Sequence, residues 1–179
     1  MAEKAITTFA DIKKRKKFAT EEVAICMDPQ VAKDYEEALL ELTKAEARAA
    51  AYPGDEDFKT TLVEKQALVD KLYSKVVKES IVFKFRGVSK DKLDDLYTKH
   101  QPTEQQKKRA LKEDLALDFN PDTLPPALLA MCIVEPQLSE EEIHEMWESD
   151  DWSQPELMAL FQTALKANAS SGIVDLKKG

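Results

Sequence analysis

The pattern of apolar and polar positions predicts two short strands on either side of a long helical segment. Apolar side chains recur at every second position in residues 22–27 and again in residues 80–86. This spacing is typical of strands that bury one face. Gly87 is expected to end the second strand. Because the two strands flank the same helical segment, we expect them to pair with each other.

Between these strands, apolar residues recur at intervals of three and four, which predicts two amphipathic helices over residues 30–51 and 56–78. Asp28 and Pro29 suit the N-cap and the first position of the first helix. The turn sequence Tyr52–Asp55 separates the helices, so we expect them to fold back as an antiparallel hairpin. At 1.5 Å per residue, the hairpin is about 33 Å long.

Short helices with clear start signals are predicted after residue 89. Ser89 suits an N-cap, and Thr103, Ser139 and Ser153 each begin a capping box with a Glu or Gln three residues later. Residues 125–134 are expected to form a helix that opens at one of its two prolines and is apolar on all sides. Such a helix belongs at the buried centre of the carboxy-terminal half.

Together these elements predict an α+β fold that is predominantly α-helical. A long helical hairpin lies between two short paired strands and is followed by a carboxy-terminal helical bundle. We expect a single helix-rich domain over residues 21–169, in which residues 21–88 form the strand-hairpin-strand unit and residues 89–169 form the bundle. Residues 1–20 are expected to be a flexible basic arm and residues 170–179 a flexible tail.

Charge is unevenly distributed along a chain whose formal net charge is −8. Residues 1–20 carry six basic and two acidic side chains, whereas residues 139–157 carry eight acidic side chains and no Lys or Arg. A molecule polarised in this way can associate head to tail or dock on a charged partner. Each run alone also fits a plainer interpretation, a solvated tail for the first and a solvated helix face for the second.

The residues needed for common catalytic and cofactor sites are sparse. The chain has four glycines, which do not form a cluster, and this excludes the glycine-rich loops that bind phosphate. The two histidines and two cysteines, His100, His144, Cys26 and Cys132, lack the spacing of a zinc site. We therefore expect a non-enzymatic protein with no catalytic residue, no cofactor and no metal.

The sequence contains no indication of a membrane or of an oxidising compartment. It has only two cysteines, no apolar run at the amino terminus and no stretch approaching the roughly 20 apolar residues of a membrane span. The expected location is therefore the cytoplasm, with no membrane partner.

The basic cluster Lys13–Lys17 is the feature that most favours nucleic-acid binding, because lysines that contact phosphates give salt-dependent affinity. The chain is acidic overall, however, and carries no recognisable nucleic-acid-reading motif. We do not expect a nucleic-acid partner, and a small DNA-binding regulator that uses Lys13–Lys17 stays an alternative.

Several segments in the second half of the chain occur in an order that can be compared with a known family. They are Ile81–Arg86, Leu93–Tyr97, Lys99–Thr103, Phe119–Leu129, Trp147 and Trp152–Leu157. In this order the chain resembles, over residues 20–169, the tail assembly chaperones of long, non-contractile-tailed phages and related prophages. The Asn-Pro-Asp-Thr-Leu-Pro-Pro sequence at Asn120–Pro126 and the Trp-Ser pair at Trp152 are the most specific parts of the resemblance.

The resemblance implies a function. In that family the chaperone coats the tape-measure protein, a very long and apolar-rich helical chain, and keeps it soluble until tube subunits polymerise around it. The implied location is the host cytoplasm, and the chaperone is not expected in the mature virion. The implied partners are the tape-measure protein and further copies of the chaperone.

A third implied partner is a longer product of the same gene, made by programmed ribosomal frameshifting. Its extra domain recruits the tail tube protein, which is therefore an indirect partner. The 179-residue chain is expected to be the short, non-frameshifted product. Its last residues, Asp175–Gly179, include two consecutive lysines, whose codons are compatible with an adenine-rich slippery site. Reading the coding DNA would test this expectation.

The sequence also suggests where a partner could bind, although the resemblance itself supplies no binding residue. We expect contacts at exposed apolar positions of the hairpin and at two aromatic residues near the carboxy terminus. These positions are Tyr35, Leu42, Phe58, Leu62, Trp152 and Phe161. A second interpretation is a structural virion protein, such as a connector or tail component, that uses the same helices as permanent interfaces.

Overall fold

The computed structural model of the protein describes residues 8–170. The first seven residues of the expected arm, and the expected tail after Ser170, lie outside the described residues. The described chain is predominantly helical and contains a small three-stranded antiparallel sheet, which confirms the predicted α+β class. In chain order the elements are α1 (Phe9–Arg15), β1 (Thr20–Cys26), α2 (Pro29–Ala51), α3 (Glu56–Glu79), β2 (Ser80–Arg86), α4 (Lys90–Lys99), α5 (Glu104–Lys112), α6 (Leu124–Cys132), β3 (Ile133–Glu135), α7 (Glu140–Glu148) and α8 (Gln154–Ala169).

The chain divides into two units, and their boundaries lie inside strands β1 and β2. Residues 24–82 form the hairpin unit, and the residues up to Val23 together with those from Phe83 onward form the second unit, here called the bundle unit. The sequence predicted a division at residues 88 and 89 instead. The boundary moves into β2 because Phe83 and Phe85, 2% and 1% exposed, belong to the core of the bundle unit. The Phe83 ring lies edge-on to Trp152, with 5.9 Å between centroids.

The hairpin unit consists mainly of α2 and α3, which are joined by the predicted four-residue turn. Asp28 and Asp55 cap the two helices, each accepting hydrogen bonds from two backbone N–H groups in the first turn. The helices face each other across a small apolar core, as their stripes require. The buried members of that core are Ala38, Leu42, Val69 and Leu72.

The bundle unit is built around α6, as predicted. Leu124, Leu128 and Leu129 of this helix are at most 1% exposed, and Ile143 of α7 and Leu160 of α8 are fully buried around it. The three predicted capping boxes are present. The side chains of Gln106, Glu142 and Glu156 accept hydrogen bonds from the N-cap N–H groups of Thr103, Ser139 and Ser153.

Strand β3 is an element that the sequence did not predict. Residues 133 and 134 were expected to continue α6, but the helix ends at Cys132 and Ile133–Glu135 pairs antiparallel with β2. The sequence explains the change, because Ile133 and Val134 are β-branched and favour a strand, and because Glu135 precedes Pro136 and so avoids the helical region. Lys84 of β2 lies between Glu22 of β1 and Glu135 of β3, at 3.1 and 3.5 Å.

A short helix occupies part of the segment that was expected to be a flexible arm. Helix α1 begins with a capping box, in which Asp11 accepts a hydrogen bond from the Thr8 N–H and the Thr8 hydroxyl accepts one from the Asp11 N–H. None of its seven residues is buried. The capping box is visible in the sequence and could have predicted this helix.

Gly87 has a packing role beyond ending β2. A Cβ built on Gly87 would lie 2.5 Å from the backbone oxygen of Ala167, at the end of α8. The next residue, Val88, donates its N–H to the Asn168 side-chain oxygen at 2.9 Å. The close approach of two backbones therefore requires glycine at position 87.

Candidate partner-binding surfaces

The helices of the hairpin leave several large apolar side chains outside their shared core. Their exposed fractions range from 37% for Leu39 to 69% for Val63. Three of them, Val63, Tyr73 and Val77, follow one flank of α3, because Val63 and Val77 are two heptads apart and Tyr73 precedes Val77 by four residues. The full set on the two helices is Leu39, Leu40, Val63, Leu68, Tyr73 and Val77.

The flank of α3 that carries Val63, Tyr73 and Val77, here called the α3 flank, adjoins a predicted site residue. The Tyr35 ring packs on Tyr73, with 6.0 Å between centroids and a tilt of 42°. Tyr35 is half-buried, so part of this pair faces the core and part faces solvent. Tyr73 was not predicted as a site residue. Its four-residue spacing to Val77 was the signal in the sequence that could have found it.

The other predicted hairpin residues have mixed positions. Leu62 is half-buried against the hairpin core, and Phe58 is half-buried against Tyr52, with 5.5 Å between ring centroids. Leu42 is only 7% exposed, so the prediction that it is exposed is wrong. Leu42 belongs to the apolar stripe that predicted α2. This stripe packs against α3 in the core that also contains Val69, so it is not available to a partner.

The two predicted aromatic residues near the carboxy terminus lie within the packing of the bundle unit. Phe161 is 4% exposed and packs on Phe119 with 6.0 Å between centroids, so it offers little surface to a partner. Trp152 is half-buried and packs on Phe83 instead. The described contacts therefore pair each ring with a different neighbour and leave only Trp152 partly accessible.

A groove between α2 and α3 has an acidic wall and an apolar floor. It has a volume of about 340 Å³, and Asp34, Glu37 and Glu41 line its α2 side. From α3, Leu68 and Leu72 contribute the apolar floor, and Lys65 adds one cation, so that carboxylates outnumber cations in the lining by three to one. Lys44 donates a hydrogen bond to Glu41 at 2.8 Å, and this bond lowers the pKa of the Glu41 carboxyl group. The groove suits an apolar partner that also carries basic side chains.

The bundle unit has a larger cleft of the opposite charge, here called the basic cleft. Its volume is about 770 Å³. Four cations line it, Lys16, Lys17, Arg86 and Lys92, and no carboxylate is among its described lining residues. Apolar side chains, including that of Met131, complete the lining. Sequence reasoning found the lysine cluster but not the cleft, because its walls come from three separate parts of the chain.

The side chains of Cys132 and His100, which have potential chemical reactivity, each contact a neighbouring polar side chain. Cys132 is buried, which raises the pKa of its thiol, and its sulfur accepts a hydrogen bond from the Asn168 amide at 3.2 Å. A His100 ring nitrogen lies 2.9 Å from the Thr123 hydroxyl. Within residues 8–170, no group of three or more His, Cys, Asp or Glu side chains is arranged to hold a metal ion. None of the helices in that range is long and apolar enough to cross a membrane.

Comparison with known proteins gives no independent indication of function. Neither protein-family models nor curated proteins nor solved structures yielded a match to this chain. The apolar surface of the hairpin, the two oppositely charged concave surfaces and the ordered sequence segments are therefore the grounds on which a function can be argued.

Proposed function

We propose that this protein is a phage tail assembly chaperone, which binds the tape-measure protein in the host cytoplasm and keeps it soluble until the tail tube polymerises. The proposal combines the ordered series of sequence segments with the surface of the hairpin. It assigns no catalytic step to the chain. In this account the protein leaves the tape-measure protein as the tube forms, and so is missing from the mature particle.

The observation that carries the proposal is the set of exposed apolar side chains on α2 and α3. Single exposed apolar residues are normal on a protein surface, but several that follow one helix flank mark an interaction site. Val63, Tyr73 and Val77 follow the α3 flank and are 55% to 69% exposed. A helix of the client can place its own apolar stripe along this flank, as amphipathic helices do in other grooves.

Charge explains how such a complex would stay in solution. The formal net charge of −8 adds mutual repulsion to every bound copy, so a long client covered by many copies resists aggregation. The acidic side chains Asp34, Glu37 and Glu41 next to the apolar groove favour client helices with lysine or arginine beside their apolar stripe.

Binding of the purified protein to the tape-measure protein tests the proposal directly. In the triple variant Val63→Ser/Tyr73→Ser/Val77→Ser we expect at least a tenfold loss of affinity, because each buried apolar side chain contributes on the order of 1 kcal/mol or more at such a contact. Affinity is measured by titrating a soluble helical fragment of the tape-measure protein. Circular dichroism checks that each variant keeps its helical content.

A matched control comes from exposed apolar residues elsewhere. Leu111 and Leu115 are 77% and 60% exposed in the bundle unit, so Leu111→Ser/Leu115→Ser removes similar apolar surface away from the hairpin. We expect this variant to bind as the wild type does. Equal losses in the two variants, or no loss in the hairpin variant, would contradict the assignment of the hairpin as the client site.

A further inference from the structure

One face of α7 is a continuous row of carboxylates. Glu141, Glu145 and Glu148 are spaced by four and three residues, so they lie above one another on the helix surface. All three are exposed, whereas Ile143 and Met146 bury the opposite face. We call these three carboxylates the acidic ridge. Asp150 and Asp151 extend the negative charge beyond the end of the helix.

Unlike the charged faces of α2, α3 and α5, the acidic ridge has no Lys or Arg beside it on its own helix. Helices α2, α3 and α5 pair glutamates with lysine or arginine three or four residues away, for example Glu41 with Lys44 at 2.8 Å and Glu56 with Lys59 at 2.7 Å. Helix α7 contains no Lys or Arg, and no ridge carboxylate forms a salt bridge with any residue of 8–170. Like charges four residues apart repel each other and destabilise a helix.

The basic cleft shows the same imbalance with the opposite sign. Lys16 and Lys17 follow α1, Arg86 ends β2 and Lys92 lies in the first turn of α4, where the helix dipole disfavours a cation. Among the described residues, none of these four cations has a salt-bridge partner. The apolar part of the lining lowers the local dielectric, so a carboxylate bound here would be held more strongly than on an open surface.

We propose that the acidic ridge of one copy of this protein binds in the basic cleft of a second copy. Both surfaces belong to the bundle unit, so every copy carries one of each. Among the salt bridges within residues 8–170, none joins the ridge and the cleft of the same chain. A contact between two different surfaces is heterologous, and its repetition gives a closed ring or an open filament. This inference does not depend on the chaperone proposal.

Two complementary variants test the inference. The cleft variant, Lys16→Gln/Lys17→Gln/Lys92→Gln, keeps an intact ridge, and the ridge variant, Glu141→Gln/Glu145→Gln/Glu148→Gln, keeps an intact cleft. All six residues are exposed, so both variants should fold, which circular dichroism verifies. Size-exclusion chromatography with light scattering measures the mass of each sample. We expect the wild type to form assemblies that grow with concentration, and each variant alone to be a monomer.

The equimolar mixture is the decisive sample. The intact ridge of the cleft variant can occupy the intact cleft of the ridge variant, and neither partner can then add a third copy. We therefore expect a dimer with one copy of each. It should dissociate in about 1 M salt, where the Debye length is about 3 Å. Lys99→Gln/Lys108→Gln/Lys112→Gln removes the same charge from exposed positions outside the cleft and should assemble as the wild type does.

Two kinds of result would overturn the inference. One is a wild type that stays monomeric at all concentrations. Another is a mixture of the two variants that forms no dimer, or variants that each still assemble alone. If the monomeric wild type also binds a DNA duplex with an affinity that the cleft variant loses, the cleft binds phosphates rather than a second copy.

Discussion

Gly87 shows how one residue can be identified correctly from sequence and still be explained incompletely. The sequence predicts that it ends a strand, and β2 does end at Arg86. The requirement for glycine comes instead from Ala167, whose backbone oxygen would be 2.5 Å from an added Cβ. Local patterns cannot reveal a contact between residues so far apart in the chain. Leu42 was misjudged as exposed for the same reason, because burial depends on which helix faces meet.

We expect Gly87→Ala to lower the free energy of unfolding by about 1–3 kcal/mol, the usual range for forcing extra volume into a packed site. Urea denaturation measures the change. Gly54→Ala is a matched control, because a Cβ there has no atom within 4 Å and the backbone φ is not positive. It should leave stability unchanged or raise it slightly. Similar losses in both variants would show that the contact with Ala167 does not explain Gly87.

At the scale of elements, the residues that cap the beginnings of helices gave the most accurate predictions. Capping residues predicted the beginnings of α2, α5, α7 and α8, because a cap is a local bond between neighbouring residues. Strand β3 escaped prediction, because three residues are too few to show a period and it forms only when β2 is beside it. The exposure of the α3 flank was not predicted, because the spacing of apolar residues shows which of them share a helix face but not which face remains exposed to solvent.

The capping box of α7 gives a pH-dependent prediction for this element. Hydrogen bonds from the Ser139 backbone and hydroxyl lower the pKa of Glu142 below its ordinary value. The stabilisation is therefore complete above the ordinary pKa, about 4.3, and is lost as the pH falls through the lower value in the folded protein. Glu142→Gln keeps an oxygen that can accept the bonds but does not titrate.

Thermal unfolding measured from about pH 6 to about pH 3 tests this expectation. The melting temperature of the wild type should fall more steeply with acid than that of Glu142→Gln. Glu148→Gln serves as the control, because Glu148 lies at the other end of α7 and takes no part in the capping box. A parallel fall in the wild type and Glu142→Gln would show that the cap contributes nothing that titrates.

At the scale of the whole molecule, the chain combines an amphipathic helical hairpin with a bundle unit that carries both the acidic ridge and the basic cleft. The net charge and the positions of the two charged runs can be read from the sequence residue by residue. They could not predict the basic cleft, because Lys17, Arg86 and Met131 come together only in the folded protein. The two proposals assign different tasks to the two units, client binding to the hairpin unit and self-association to the bundle unit.

The central claim, that this protein keeps a tape-measure protein soluble, is tested most directly by producing the two proteins together in bacterial cells. The measured quantity is the fraction of tape-measure protein in the soluble part of the lysate, with and without the chain. We expect the tape-measure protein to be largely insoluble alone and largely soluble with the wild-type chain. An insoluble tape-measure protein in both samples, or abundant copies of the chain in purified mature particles by mass spectrometry, would contradict the account.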